Sequence, residues 1–451
     1  MKRLALALLV ACGGHAAPAP VATSASARPS PKLEAPVEND EARARAFVAA
    51  LAKHDFAAAF ARFDEKMRAA MPEAKLGEIW SAIEAQAGPL KSVDGVDVKE
   101  AGDVRVAAAK VSFEKAPLVL RVVFAKDGRV TGFFVAPGEA KSTWEPPPYA
   151  KPDAFEERRV SIGAHPALPG TLTMPKGAKK VPIVVLVHGS GPHDEDETIG
   201  PNKPFKDLAF GLASRGVAVL RYEKRTHVDP TGVRTQKEEV EDGAHAAIAL
   251  ARSQPEVDPS RVILLGHSQG GYLAPRIAKA DPAIKRLVIL AGATRPLEES
   301  IVAQLRYLAS LQPNDPKVRD AVAAAEKFKA AAESPSLKPT DSVDNPLGAP
   351  VPGAYFLDVR GYHPERVAAR LAIPILVLQG EHDYQVTVAD DFAAWKSALA
   401  HDKRATLRTY PGLMHTFVRA GDGPPAPADY LQPGHVDEKV IDDIASFALA
   451  P

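Results

Sequence analysis

Cysteine is almost absent from this chain, because Cys12 is the single cysteine among 451 residues. An intramolecular disulfide is therefore excluded, and no cluster of Cys and His has the spacing of a metal site. The chain also lacks an excess of charge, because Lys and Arg together number 56, as do Asp and Glu. Without a basic stripe, nucleic-acid binding is not expected. Phosphate-binding and dinucleotide-binding fingerprints are missing too, so neither a cofactor nor a metal is predicted.

The most informative motif is Gly-His-Ser-Gln-Gly at 266–270, which follows a strand-like run at 261–265 and precedes a helix-like run at 272–280. A sharp strand-to-helix turn of this kind presents a serine hydroxyl clear of its own backbone, and it needs small residues two positions on either side. The amide of the following residue then points to where an oxyanion would form. The motif predicts Ser268 as a nucleophile and Gln269 as an oxyanion donor. The alternative is a structural glycine-rich turn with a solvated serine.

A second glycine-rich loop follows a run of apolar residues. Residues 181–187 are apolar throughout, which predicts a central parallel strand. The run ends in His-Gly-Ser-Gly at 188–191. Enzymes with the Gly-x-Ser-x-Gly turn supply the second amide of their oxyanion hole from a loop at this place. Ser190 is the preferred donor and Gly191 the second choice, whereas His188 is expected to pack or hydrogen-bond within the loop. A plain glycine turn is the alternative.

A serine nucleophile needs a base and an acid. In enzymes with this Gly-x-Ser-x-Gly turn, the acid precedes the histidine along the chain. The buried-strand run 373–379 is followed by Asp383, and the strand candidate 404–410 is followed by His415. Asp383 is therefore predicted to be the acid and His415 the base. The competing carboxylates are Glu381, Asp390 and Asp391, and the competing histidines are His382, His401 and His435.

With these motifs, residues 155–451 resemble the α/β-hydrolase superfamily. The segments 188–205 and 221–226 are similar to those of bacterial secreted serine esterases near the dienelactone-hydrolase and prolyl-peptidase branches. The resemblance implies the serine, aspartate and histidine named above as a catalytic triad. It also implies an α/β fold with a mostly parallel eight-stranded sheet. Lys224 and Arg225 in the second segment are interpreted as solvated charges, with attraction of a substrate carboxylate as the alternative.

A long insertion separates two strands that this fold would place side by side. A parallel crossover needs only a dozen or so residues, but the chain between 291 and 373 holds two helical stretches and a Pro-rich passage. Such insertions are usually lids or binding loops, so a helical cap is predicted at about 295–365. The alternative is a helical hairpin that only covers the sheet. Tyr355 is one of several aromatic residues here for which a packing role is weighed against a pocket wall.

The first part of the chain predicts a separate small domain. Residues 12–39 are rich in Ala, Pro and Ser, which is typical of a flexible tether. Residues 40–140 carry helical patterns and then strand patterns, which indicates an α+β domain. The helices are predicted at 41–53, 56–70 and 75–87, and the strands at 90–99, 104–113, 118–125 and 130–135. The domain resembles the small cone-shaped domains of unknown function that precede some bacterial hydrolases, which favours a structural, docking or homodimerisation role. A Pro-rich linker at 141–154 follows.

The amino terminus has the pattern of a bacterial export signal. Two basic residues precede an apolar run that is too short to span a bilayer, and residues 9–12 resemble a lipoprotein cleavage box. The resemblance implies a signal peptide over 1–11, acylation of Cys12 and a lipid-anchored protein of the bacterial cell envelope, on its periplasmic or surface face. Gly13 after the cysteine favours the outer membrane. The alternative is a soluble secreted protein cleaved near Ala16 or Ala17.

The expected function follows from the superfamily resemblance. It implies a serine hydrolase that cleaves carboxylic esters of small molecules through an acyl-enzyme intermediate, without a cofactor. A peptidase or acyltransferase of the same fold is one alternative. A peptidase should carry a charged anchor for the peptide terminus, and none is evident in the sequence. The other alternative is a non-catalytic envelope binding or scaffold protein, against which an intact Ser, Asp and His set argues.

Overall fold

The computed structural model describes residues 39–101, 104–114, 117–137, 144–348 and 350–451. They form two compact units, one within 39–137 and the other from Trp144 to Pro451. Cys12, the predicted signal peptide, almost all of the predicted tether and part of the linker lie outside the described residues. Within the described part of the chain, the helices are all too short or too polar to cross a bilayer.

The first unit packs helices against one face of an antiparallel sheet whose strand order is β1-β2-β3-β4. Its helices are α1 Asp40–Ala52, α2 Phe56–Ala61, α3 Glu65–Ala70 and α4 Glu73–Ala87, and its strands are β1 Leu90–Ala101, β2 Val104–Phe113, β3 Pro117–Phe124 and β4 Val130–Pro137. Alternate residues of β2, among them Ala107, Ala109 and Val111, are buried under the helices. The α+β class predicted for this part of the chain is confirmed.

The segment predicted as one helix over 56–70 is two helices. Between them the chain turns to meet β4: Phe63 bridges Val130, and the amide of Asp64 donates to the carbonyl oxygen of Val130 at 2.9 Å. The carboxylate of Asp64 then caps α3 by accepting the amide of Met67 at 2.7 Å. The single-helix prediction was wrong because the chain pairs with β4 between the two segments, and Asp64 then caps a second helix.

The second unit is built on an eight-stranded sheet of order β14-β13-β10-β9-β7-β8-β6-β5. Its strands are β5 Phe155–Ile162, β6 Leu168–Pro175, β7 Val181–Val187, β8 Ala218–Tyr222, β9 Val257–His267, β10 Ile284–Leu290, β13 Ile375–Gly380 and β14 Ala405–Tyr410. Only β6 runs antiparallel to its neighbours β5 and β8. The other pairs are parallel, which confirms the mostly parallel sheet.

Helices cover both faces of this sheet. They are α5 Pro204–Ala213, α6 Arg225–Val228, α7 Asp242–Ser253, α8 Gln269–Ala280, α13 Ala393–Ala398 and α14 Glu438–Leu449, with short helical turns at Pro152–Ala154, Lys237–Glu241, Val388–Phe392 and Pro427–Leu431. Side chains alternate between the two faces of a strand. Ile183 and Val185 of β7 accordingly lie in a core under α7 and α8, while Val184 and Leu186 lie in a second core under α5 and α14. Because both faces are buried, the strand reads as a continuous apolar run.

The insertion between β10 and β13 has a hydrophobic core of its own. It contains α9 Leu297–Leu311, α10 Pro316–Glu333, β11 Ser342–Val343, β12 Val351–Pro352, α11 Gly353–Leu357 and α12 Pro364–Ala368. Phe328 of α10 packs edge-on against Phe356 of α11, with ring centroids 5.5 Å apart. The insertion is therefore a packed body, and not an extended loop.

Candidate active site

Ser268 occupies a strained turn between β9 and α8. Its backbone has φ +52° and ψ −112°, a conformation that L-residues rarely adopt. A Cβ atom on Gly266 would lie 2.2 Å from the carbonyl oxygen of Gly270, and one on Gly270 would lie 2.3 Å from that of Val187. Only glycine fits at either position, which is the steric reason for the motif. Ser268 itself is half-buried, whereas its neighbours His267 and Gln269 are buried.

The backbone amides of Ser268 and Gln269 have different surroundings. The Ser268 amide donates to the carbonyl oxygen of Leu290 at 3.0 Å, which fixes the turn against the end of β10. Gln269 is the first residue of α8. Amides in the first turn of a helix have no acceptor within the helix, and the helix dipole favours negative charge there. The Gln269 amide is therefore suited to the predicted oxyanion role.

Asp383 and His415 lie in the loops that follow β13 and β14, and the structure brings them together. The Nδ1 atom of His415 donates to Oδ2 of Asp383 at 2.6 Å, and both side chains are buried. With Nδ1 protonated, a neutral imidazole has its lone pair on Nε2. His415 is thereby held in the tautomer that accepts a proton.

The carboxylate of Asp383 is fixed by further donors. Its Oδ1 accepts the amides of Gln385 at 2.8 Å and Val386 at 3.0 Å, and its Oδ2 accepts Nε2 of Gln379 at 3.0 Å. Gln379 is buried near the end of β13. Such bonds fix the orientation of the carboxylate towards His415.

The competing residues have other partners. Oε1 of Glu381 accepts the Thr409 hydroxyl at 2.7 Å, and Asp391 pairs with Arg295, as does Asp390 at a longer distance. The histidine rivals differ in the same way: His382 lies 3.5 Å from Asp429, His435 contacts Asp207, and His401 is exposed beyond α13. Across the described residues, no group of three or more His, Cys, Asp or Glu is arranged to hold a metal ion.

His267 connects the turn at Ser268 to His415. Its ring centroid lies 4.7 Å from that of His415, and its Nε2 donates to the carbonyl oxygen of His415 at 3.1 Å. Its Nδ1 lies 2.9 Å from Oε2 of Glu197, and both side chains are buried. Burial alone would lower the pKa of His267, but the carboxylate outweighs burial and raises that pKa. Burial would likewise raise the pKa of Glu197, yet the imidazolium lowers it to about 2. The two form a buried ion pair.

The glycine-rich loop after β7 lies beside Ser268. A Cβ atom on Gly189 would be 3.1 Å from the Cβ atom of Ser268. The Gly189 amide is already used, because it donates to Oε1 of Glu197 at 2.6 Å. Ser190 and Gly191 therefore remain the candidates for the second oxyanion amide. The Ser190 carbonyl accepts Nε2 of His193 at 2.6 Å, which restrains the loop.

His188 supports this loop through a hydrogen bond and through ring packing. Its Nε2 donates to the carbonyl oxygen of Asp194 at 3.0 Å, and its ring packs against Phe205 and Tyr222. Burial lowers the pKa of His188 to about 3, so the imidazole is neutral. The packing role predicted for this residue agrees with its contacts.

Comparison with known proteins identifies the family. A family model described as "Serine aminopeptidase, S33" matches residues 178–420, and one described as "Protein of unknown function (DUF3887)" matches residues 44–133. "Esterase EstD" of Thermotoga maritima is 37% identical over 404 residues, which cover 89% of this chain and 93% of that protein.

The chain belongs to the S33 family of α/β-hydrolases.

More distant similarities were also found. "Quorum-quenching protein AidA" of Acinetobacter baumannii is 24% identical over 270 residues, which are 55% of this chain and 81% of that protein. Among solved structures, Est1E from Butyrivibrio proteoclasticus matches 64% of this chain and 97% of its own at 20% identity, with a TM-score of 0.42.

This α/β-hydrolase holds a second buried charged group beside the nucleophile turn. Lys224, only 2% exposed, forms an ion pair with Glu239 at 2.9 Å. Its Nζ also donates to the carbonyl oxygen of Gly189 at 2.7 Å and to Oε1 of Gln269 at 3.0 Å. The interpretation of Lys224 as a solvated surface charge was therefore wrong. Burial alone would raise the pKa of Glu239, but Lys224 outweighs burial and holds that pKa below its usual range.

The insertion reaches this group through one hydroxyl. Tyr355 of α11 donates to Oε2 of Glu239 at 2.6 Å and accepts Nε2 of Gln269 at 2.7 Å. The insertion therefore contacts Gln269, the residue that follows Ser268. The sequence suggested either a packing role or a pocket-wall role for Tyr355, and it gave no indication of these hydrogen bonds.

Three buried polar residues of the hydrolase site were missed by sequence reasoning. Gln379 carried a signal, because it is the one polar residue at the end of the apolar run 373–379. Glu239 carried none, since it stands in the acidic stretch 237–241, which is typical of an exposed helix surface. Glu197 also looked like one of several acidic loop residues.

Proposed function

We propose that this protein, a carboxylic ester hydrolase, cleaves its substrates through an acyl-enzyme intermediate on Ser268. The observation that carries the proposal is the 2.6 Å hydrogen bond from His415 to Asp383, in loops beside a serine with φ +52°. A buried carboxylate that fixes the histidine tautomer has the geometry that activates a serine hydroxyl. The name of the Thermotoga maritima esterase supports the same reaction class.

In acylation, Nε2 of His415 takes the Ser268 proton while Oγ bonds to the substrate carbonyl carbon. The carbonyl π electrons move to oxygen, and the amides of Gln269 and Ser190 stabilise the resulting oxyanion. Asp383 stabilises the imidazolium and is not itself protonated. Collapse of the intermediate then breaks the ester C–O bond. His415 returns the proton to the departing oxygen, which leaves as the alcohol.

Deacylation repeats these steps with water as the nucleophile. His415 takes one proton from water as its oxygen bonds to the acyl carbon, and the same two amides hold the second oxyanion. Collapse breaks the bond to Oγ, and Ser268 recovers its proton. Water is consumed and a carboxylic acid is released. The cycle needs no cofactor.

The proposal is tested by steady-state hydrolysis of p-nitrophenyl esters from short to long acyl chains. The full chain is compared with Ser268→Ala, and we expect kcat to fall by about 10⁶-fold, as when a triad serine is removed. The acyl length with the highest kcat/KM then measures the substrate pocket. An ester activity that survives in Ser268→Ala would contradict the proposal.

The alternatives are tested on the same preparation. An aminoacyl p-nitroanilide series measures peptidase activity, which the family name makes worth testing. Labelling by a fluorophosphonate probe without ester turnover would favour a peptidase or an acyltransferase. No labelling and no turnover would favour a scaffold protein.

We also propose that the mature chain is lipid-anchored through Cys12 in the bacterial cell envelope. The support is the lipoprotein-like sequence at residues 9–12 and the absence of any other cysteine. Metabolic labelling with a clickable palmitate analogue should mark the wild-type chain and leave Cys12→Ala unlabelled.

Homodimerisation through residues 40–140 stays a prediction, and sedimentation velocity of the full chain is its test.

A further inference from the structure

The ammonium group of Lys224 has three acceptors, and two of them belong to the two segments that form the predicted oxyanion hole. Nζ donates to the Gly189 carbonyl at 2.7 Å and to the Gln269 side chain at 3.0 Å, and it pairs with Glu239 at 2.9 Å. An ammonium group has three protons. Lys224 therefore uses its full donor capacity inside the protein, and none remains for a substrate carboxylate.

Peptide geometry connects the first contact to catalysis. In a trans peptide, the carbonyl and the N–H of the same plane point in opposite directions. A donor that fixes the Gly189 carbonyl oxygen therefore fixes the direction of the Ser190 N–H. A hydrogen bond to the carbonyl also polarises the peptide and strengthens its N–H as a donor. The charge on Lys224 thus acts on the amide predicted to hold the oxyanion.

The second contact acts on the other amide. The Gln269 side chain bonds to Lys224 through Oε1, and through Nε2 it donates to Tyr355 at 2.7 Å. Gln269 is 8% exposed and begins α8, so its side chain and its backbone are restrained together. One ammonium group thereby connects both amides of the hole.

Glu197 provides the matching restraint on the opposite flank. It accepts the Gly189 amide at 2.6 Å and pairs with His267 at 2.9 Å. The N–H of Gly189 is thus held by Glu197, which also contacts His267, the residue before Ser268. The carbonyl of Gly189 is held by Lys224, which also contacts Gln269, the residue after Ser268.

We propose that Lys224 is a positioning residue that sets both oxyanion-hole amides, and that Tyr355 extends this control to the insertion. The inference rests on the proposed ester hydrolysis at Ser268, and it assigns Lys224 no contact with substrate. Lys224 acts through the Gly189–Ser190 peptide and the Gln269 side chain. Tyr355 contributes by donating to Glu239 at 2.6 Å, which keeps the anion beside Lys224.

The test replaces the ion pair as a unit, because a single change would leave one buried charge without its partner. In Lys224→Met/Glu239→Gln we expect kcat on a p-nitrophenyl ester to fall about 10²-fold, the usual effect of displacing or losing one oxyanion donor. KM and the pH midpoint of kcat/KM, which reports the base, should stay near the wild-type values. The rate of fluorophosphonate labelling should fall with kcat, since the reagent also develops an oxyanion.

Control variants separate positioning from loss of folding. Lys279→Met removes an exposed lysine from α8 and should retain the wild-type kcat. Tyr355→Phe removes one hydroxyl and no charge, and it should lower kcat by a smaller factor at unchanged KM. Gln269→Leu keeps the backbone amide but removes the side chain that Lys224 holds, and it tests the proposal even if the double variant does not fold.

The outcomes are distinguishable from failure of the proposed function. If the wild-type chain hydrolyses no ester, the proposed function fails first. If it is active and sensitive to Ser268→Ala, but folded Lys224→Met/Glu239→Gln or Gln269→Leu retains wild-type kcat, only the role of Lys224 is overturned. A wild-type kcat in Tyr355→Phe would overturn the part of the proposal that extends positioning to the insertion. A shifted pH midpoint would indicate that the base has been disturbed, and would also overturn the assignment.

Discussion

At the scale of single residues, the site depends on which carboxylate meets which imidazole. Asp383 and Glu381 are two positions apart, yet only Asp383 contacts His415, while Glu381 is exposed and accepts the Thr409 hydroxyl. The backbone of the loop decides this, because it donates the amides of Gln385 and Val386 to the Asp383 carboxylate. Which carboxylate reaches His415 therefore follows from loop geometry as much as from residue type.

Asp383→Asn should lower kcat by about 10⁴-fold, because an amide no longer holds the histidine in its proton-accepting tautomer. Glu381→Gln is the matched control and should hydrolyse p-nitrophenyl esters at the wild-type rate. Steady-state kinetics of both variants, with thermal melts to establish folding, checks the prediction. Equal losses in the two variants would show that Asp383 is not the acid.

The Glu197–His267 pair predicts a pH-dependent stability. The pKa of Glu197 falls from 4.5 to about 2 on folding, so its contribution is present above pH 4.5 and is lost as the pH falls through 2. The pKa of His267 is raised from 6.5, so its contribution is complete below pH 6.5 and is lost as the pH rises through the raised value. The pair therefore stabilises most between pH 4.5 and 6.5.

Glu197→Gln should lower the free energy of unfolding by about 3–5 kcal/mol in that window, since it leaves a buried imidazolium without its partner. The loss should shrink at alkaline pH, where His267 becomes neutral. Urea denaturation at about pH 5.5 and about pH 9 measures both values. A difference that grows towards alkaline pH would argue against the ion pair.

At the scale of elements, the nucleophile turn exists because β7, β9 and α8 meet with no room for side chains at two positions. Gly270→Ala places a methyl group 2.3 Å from the Val187 carbonyl oxygen. We expect a loss of about 3 kcal/mol or more in stability, because close-packed backbone cannot move aside. Activity should fall with it.

Gly421→Ala is the comparison for this change. No atom lies within 4 Å of a Cβ built there, so stability should stay within about 0.5 kcal/mol of wild type. Denaturant midpoints and ester hydrolysis of the two variants are the measurements. A Gly270→Ala protein as stable as the control would show that the turn is less crowded than the geometry indicates.

The elements were predictable where the signal is local. The apolar run 181–187 and the glycine spacing around Ser268 each arise within a few residues, and both became the expected strand and turn. The break at Asp64 was missed because its cause is pairing with Val130, which is far along the chain. Long-range partners of this kind leave no trace in a local pattern.

The residues of the site also separate into those that the sequence predicted and those that it did not. Ser268, Asp383 and His415 stand at strand ends, and parallel strands bring their ends to one edge of a sheet. Lys224 and Glu239 meet only because the fold buries both, and charged residues in a sequence are usually solvated. Their partnership could not be read before the structure placed them within 2.9 Å.

At the scale of the whole molecule, the two units have separate cores. None of the described residues between 39 and 137 belongs to the hydrophobic clusters that surround the eight-stranded sheet. Trp144 marks the start of the second unit, because its indole N–H donates to Asp207 at 2.7 Å and its ring packs on Phe210. A chain that begins just before Trp144 therefore retains every described contact of the predicted triad.

We expect residues 144–451, produced alone, to fold and to hydrolyse p-nitrophenyl esters with the kcat and KM of residues 40–451. The separate cores are the physical reason. Circular dichroism, thermal melts and kinetics of the two proteins make the comparison. Loss of kcat in a well-folded short chain would assign the first unit a part in catalysis.

The Tyr355 hydroxyl also restricts how this enzyme can be re-engineered. Insertions beside an active site are attractive targets for exchange between relatives, because they can be changed while the reacting groups are left alone. Here a grafted insertion that brings phenylalanine or leucine to this place would leave the Gln269 amide group and the Glu239 carboxylate each one hydrogen bond short. Chimaeras should therefore be selected for a hydroxyl at this junction before they are selected for pocket shape.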